Sequence, residues 1–143
     1  MKDLELAEKI IEEKSLTLVV VKERNILFTS ADRGIEPIYT AVTNFKEGLE
    51  GSSVADRVTG RAAAILCRYG KIAEIHTDLI SDEAIRIFKN SGIKYFYEEY
   101  SPYIKNRDKT DMCPVENLAY GIDNPQELIQ RISEFMGSMK REV

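Results

Sequence analysis

The amino-acid sequence predicts a single α/β domain over residues 1–143, a three-layer α/β/α sandwich on a mixed five-stranded sheet. Three observations predict it. Short β-branched runs alternate with longer stretches of helical apolar spacing. Two early strand-like runs, 16–22 and 26–29, are separated only by Glu23, Arg24 and Asn25, which makes a hairpin and one antiparallel pair. Three strand–helix–strand units follow, and such crossovers demand parallel strands.

The first helix spans 3–14, where Leu4, Ala7, Ile10 and Ile11 recur at three- and four-residue spacing and Asp3 caps the start. Leu16 to Lys22 is β-branched and reads as a buried strand. The polar loop Ser30 to Gly34 leads into a helix over about 35–48, with Pro37 in its first turn and Ile38, Val42, Phe45 and Leu49 on one face. Ser53 to Val58 is a short strand. Thr59 and Gly60 open a helix that runs to Tyr69, apolar nearly all round from Ala62 to Cys67 and hence buried.

A strand is expected over 71–77, then a helix capped by Ser81 with Asp82 and Glu83 in its first turn, ended by Gly92. Another strand is expected over 93–98. The polar segment 100–112 is expected to be a loop, long enough to carry function. Pro114 opens a short helix. Asn124-Pro125-Gln126-Glu127 caps the last helix, which turns Leu128, Ile129, Ile132, Phe135, Met136 and Met139 to the core.

Composition narrows the classes of function. The hydrophobic fraction is 43% and the charged fraction 31%, as in an ordinary globular protein. A net charge of −4, with Lys and Arg spread along the chain, argues against a nucleic-acid partner. The longest apolar run, Leu16 to Val21, is far short of a membrane span and is interrupted by Thr17, so no membrane association is expected. The acidic N-terminus has no signal-peptide core. A cytoplasmic location is expected, with Cys67 and Cys113 as free thiols.

The stretch Val54-Ala55-Asp56-Arg57-Val58-Thr59-Gly60-Arg61-Ala62-Ala63-Ala64 is followed by Asn106-Arg107-Asp108 and Cys113-Pro114-Val115-Glu116. Together these resemble a bacterial family of unknown function in the cytidine-deaminase-like superfamily. The similarity spans roughly residues 5–120. It implies the deaminase-like fold and no particular activity. Zinc deaminases place His-x-Glu at the start of the second helix and Pro-Cys-x-x-Cys at the start of the third, giving three metal ligands and a proton-shuttling Glu. Here the second helix opens Gly34-Ile35-Glu36-Pro37, so Glu36 falls in the place of the shuttle and Gly34 in that of a ligand. The third opens Val58-Thr59-Gly60-Arg61, without cysteine. His76, Cys67 and Cys113 lack the short spacing of zinc ligands, so neither a metal nor another cofactor is expected.

The candidate site lies where a strand end leads into a helix start. Ligands of open α/β sheets bind there, and helix N-termini favour anions. Arg57 and Arg61 are candidates to hold a carboxylate or phosphate, and Gly60 lets a ligand approach the backbone. The plainer alternative pairs Asp56 with Arg61 or makes them helix caps. Cys113, just before Pro114, is the nucleophile candidate, or else a thiol without a role. Glu36 is a ligand-facing acid or an ordinary first-turn charge. Arg107, in the long loop, is a further ligand-binding candidate.

Three functions follow. The first is a metal-free domain binding a small anionic or nucleotide-like metabolite at the strand-end cleft. The second is a metal-independent enzyme with Cys113 as nucleophile and Asp56 orienting the substrate or accepting a proton. The third is a structural or regulatory subunit, a homo-oligomer that uses its exposed tyrosines.

Overall fold

The computed structural model describes residues 2–105 and 113–141, with side chains to 138. The elements are α1 (Asp3–Glu13), β1 (Leu18–Lys22), β2 (Asn25–Ser30), α2 (Glu36–Leu49), β3 (Ser53–Thr59) and α3 (Arg61–Tyr69). They continue as β4 (Glu74–Ser81), α4 (Asp82–Ser91), β5 (Lys94–Ser101), α5 (Pro114–Ala119) and α6 (Pro125–Arg141).

The sheet order is β2-β1-β3-β4-β5. β1 runs antiparallel to both β2 and β3, while β3, β4 and β5 are parallel. Alternation along β1 explains the two cores. Val19 and Val21 join Ala55 beneath Ala7, Ile10 and Ile11 of α1. Leu18 and Val20 join Val54, Ile75 and Ile80 beneath α2, α3 and α4. Both faces of β1 are covered, so it reads as an unbroken apolar run. Leu128 and Ile132 bring α6 onto the same larger core through α3. This is the mixed sandwich expected from the sequence.

Several boundaries differ. The strand expected over 71–77 runs from Glu74 to Ser81. Lys71 takes a left-handed φ of 56°, and its carbonyl accepts from the Gly51 N–H at 2.9 Å, so 70–73 form a turn. Ile72 is buried as a plug in that turn and mimics a strand residue. β1 starts two residues later than expected. β5 extends to Ser101, which takes 100 and 101 out of the expected loop. Two caps agree: Ser81 Oγ accepts from the Ala84 N–H at 3.3 Å, and Asn124 Oδ1 from the Glu127 N–H at 3.0 Å. Asp3 does not cap α1, whose N-cap is Lys2 without a side-chain bond; its carboxylate serves the β1–β2 turn instead. Asn106, Arg107 and Asp108 lie outside the described residues, as does the Met139 side chain.

The β1–β2 turn is tight. Glu23 and Arg24 both have positive φ, at 50° and 66°, a conformation suited to Asn-Gly. Asp3 of α1 offsets the strain by accepting from both of their N–H groups at 2.9 Å. Replacing Glu23-Arg24 by Asn-Gly is expected to raise stability by about 1 kcal/mol in chemical denaturation. Asp3→Ala is expected to lower it by a similar amount.

Candidate functional site

The parallel strands bring their carboxyl ends together at the starts of α3 and α4. α3 begins at Arg61, so its first N–H groups need acceptors. Its N-cap, Gly60, has no side chain to give. Glu116 of α5 supplies the acceptor from across the cleft: its Oε2 accepts from the Arg61 N–H at 3.0 Å, and the Ala62 N–H bonds it as well. A Cβ at Gly60 would lie 1.7 Å from Glu116 Oε1 and 2.7 Å from Ile104 Cγ1. Gly60 has φ −104°, so space rather than left-handed backbone requires glycine.

Arg61 answers in the other direction. Its side chain is 7% exposed. Nε donates to the Ala119 carbonyl at 2.9 Å, and Nη2 to the Ile122 carbonyl at 2.8 Å and to Asp123 at 2.6 Å. Glu83 of α4 lies 3.6 Å from Nη1. The first turn of α3 and the whole of α5 thus clasp each other. Burial pushes the Glu116 carboxyl up to about 7, against the two N–H bonds and the Arg61 charge, and Glu83 adds to the rise.

Around this clasp is a cleft of about 430 Å³, lined by Ser81, Asp82, Glu83 and Arg86 of the β4–α4 junction, by Pro102, Tyr103 and Ile104, and by Arg61, Glu116 and Tyr120. Arg86 bonds Glu83 and is otherwise solvent-facing. Tyr120 is the most exposed of the large side chains here.

Asp56, Arg57 and Arg61 do not converge. Asp56 accepts from the Arg57 N–H at 2.8 Å and from Thr59 Oγ1 at 2.9 Å, and the Thr59 and Thr77 hydroxyls lie 2.9 Å apart. Burial lifts its pKa to about 7, opposed by the bonds from Thr59, Arg57 and Val58 and reinforced by Asp78. Arg57 points to the opposite face. There it donates to the Leu16 and Ile11 carbonyls at 3.0 and 2.9 Å and pairs with Glu12 and Asp78 at 2.6 and 3.1 Å. Its guanidinium ties α1 to the sheet. The alternative pairing of Asp56 with Arg61 does not form.

Glu36 is exposed in the first turn of α2, and Cys113 sits half-buried before α5 with its N–H on the Ile104 carbonyl at 2.7 Å. Neither is among the cleft-lining residues. His76 is the third residue of β4, not at its end, and faces Glu8 and Glu98 on the α1 side. Cys67 is buried in α3, where burial pushes its thiol pKa up. The residues that sequence reasoning missed are Glu83, Arg86, Tyr120 and above all Glu116, whose one sequence signal was its place in the Cys113–Glu116 motif.

These features define a domain of cytidine-deaminase-like fold whose strand-end cleft is flanked by an internal Glu–Arg clasp. Residues 6–136 match the family described as TM1506, domain of unknown function (DUF1893), and the chain belongs to that family. The DUF1893 family protein TM1506 of Thermotoga maritima is 34% identical with a TM-score of 0.84, over 94% of this chain and 90% of that one. RibD of Acinetobacter baumannii, in its forms 1 and 2, has a TM-score of 0.50 at 13% and 15% identity. That match covers 67% of this chain but only 34% and 35% of RibD, and it is a likeness of fold. None of the curated proteins matches the chain.

The zinc that deaminase chemistry uses does not fit this donor set. The start of α2 offers Gly34 and Glu36, and the start of α3 offers Gly60 and Arg61 with backbone N–H groups already bonded to Glu116. Among the described residues no three His, Cys, Asp or Glu side chains are grouped to hold a metal.

Two outcomes follow from the clasp and from Asp56. Gly60→Ala and Glu116→Ala should each lower stability by about 2 kcal/mol, and the double variant by clearly less than the sum, read by urea denaturation. Asp56 has a pKa raised from 3.8 to about 7, so its contribution to stability is full below about pH 4 and is lost as pH rises towards 7. Asp56→Asn should therefore gain on the wild type between pH 4 and 7, by about 4 kcal/mol, and no further above 7.

Proposed function

We propose that this domain binds a small nucleotide-like metabolite, without a metal, in the cleft at the carboxyl ends of β4 and β5. The observation that carries the reading is that cleft of about 430 Å³, which joins acidic, aromatic and cationic groups in one place. Its volume is in the range of small-molecule sites, about 300–1,000 Å³. Its position is where open α/β sheets take ligands.

The chemistry supports a heteroaromatic ligand with an anionic arm. Tyr103 and Tyr120 offer flat apolar surface for a ring. Asp82, Glu83 and Glu116 offer acceptors to amino or amide N–H groups. Arg86, exposed and, among the described residues, paired within the cleft only with Glu83, is the cation with reach for a phosphate, whereas Arg61 is buried on Asp123 and backbone carbonyls and Arg57 ties α1.

Thermal-shift titration with nucleosides and their monophosphates tests this. A monophosphate at 100 times its Kd should stabilise by about 2.7 kcal/mol, a rise in Tm of several degrees. Arg86→Ala should weaken the monophosphate about tenfold and leave the nucleoside nearly unchanged. Failure of every nucleoside and nucleotide to raise the Tm would overturn the reading.

A further inference from the structure

We propose that two copies of this chain pair through β5, edge to edge and antiparallel, so that their sheets join into one. Among the described residues β5 is an outer strand of the sheet. It keeps a regular ladder with β4 from Lys94, opposite Glu74, to Ser101, opposite Ser81. Eight residues of extended edge, beyond which no strand pairs among the described residues, form a template for strand addition. The other edge is blunted: β2 has six residues, and its register with β1 shifts between Val20 and Val21. Pro102 follows β5 and ends the pairing edge, since it lacks an N–H.

The side chains of β5 argue for a partner. Phe96 is 49% exposed, Tyr97 46% and Tyr100 51%. Phe96 stands opposite His76, which meets Glu8 of α1, so it lies on the α1 face. α1 packs over β1, β3 and β4 on that face. On the other face Tyr97 stacks on Tyr95 at 6.5 Å, and Tyr95 on Phe88 of α4 at 6.0 Å.

The strand is complementary to itself. A two-fold axis perpendicular to the sheet sets residues of the same face opposite one another. With the axis at Phe96, Lys94 of each copy faces Glu98 of the other, Tyr95 faces Tyr97, and Phe96 faces its own equivalent. Lys94 makes no ion pair among the described residues, and the side chain of Glu98 is exposed while it holds His76 at 3.0 Å. Moving the axis to Tyr97 would face Phe96 with Glu98, Tyr95 with Glu99 and Lys94 with Tyr100, keeping a Tyr97 pair but losing the charge pairing and the pairing of Phe96 and Tyr95. Charge complementarity therefore selects the register and a second copy of the chain as the occupant.

Sedimentation equilibrium of the full chain tests this, with circular dichroism and Tm as folding controls. The wild type is expected at twice its chain mass of 16.3 kDa. Lys94→Glu, which sets like charges opposite each other, should weaken the dimer at least tenfold. Adding Glu98→Lys to it should restore dimerisation. Phe96→Lys should give a folded monomer. A wild type that is monomeric throughout, a dimer indifferent to these changes, or a charge swap that fails to restore pairing would overturn the proposal.

Discussion

The hold of Glu116 on the first turn of α3 is the interaction on which the functional end of this domain depends. A helix start facing a cleft leaves N–H groups in need of acceptors, and Gly60 has no side chain to provide one. The carboxylate of α5 enters the space that a Cβ would fill and takes the Arg61 and Ala62 N–H groups. Arg61 binds back to the end of α5 through the Ala119 and Ile122 carbonyls. Each partner thus satisfies a helix terminus of the other, and a buried guanidinium gains acceptors on several sides. The metal of a zinc deaminase also binds at the start of the third helix. Here a Glu–Arg clasp occupies that region, beside the cleft.

Two carboxyls with pKa values near 7 flank the start of α3, and they differ in what they do. Asp56 is held by its own loop, by the Arg57 N–H and the Thr59 hydroxyl, and it faces the fold. Glu116 lines the cleft, with its carboxylate on the Arg61 and Ala62 N–H groups of α3. Arg57, adjacent to Asp56 in sequence, serves another end altogether by fastening α1 to β3 and β4.

Much of the fold was legible because local pattern and burial agree. The β-branched run 18–21, the apolar stretch 62–67 and the Ser81 and Asn124 caps each mark their element unaided. β4 was misplaced because Ile72 is buried in a turn, and burial alone looks the same in a turn as in a strand. The site was harder. Strand alternation already separated Asp56 from Arg57 by face, a signal that outweighs their adjacency. The partner of Arg61 was out of reach: Glu116 lies 55 residues away, and nothing local in a six-residue helix says which helix start its acid will cap. Arg86 and Tyr120 were hidden in the same way, as ordinary helix-face and loop residues until the strand ends brought them together.

The most direct measurement of the central claim is a pH titration of the backbone amides of Arg61 and Ala62 by ¹⁵N–¹H NMR. If Glu116 holds them, both amide protons should move together with a midpoint near 7, the value of its carboxyl, and the transition should vanish in Glu116→Gln. Amides that stay flat, or a transition that survives in Glu116→Gln, would contradict the clasp.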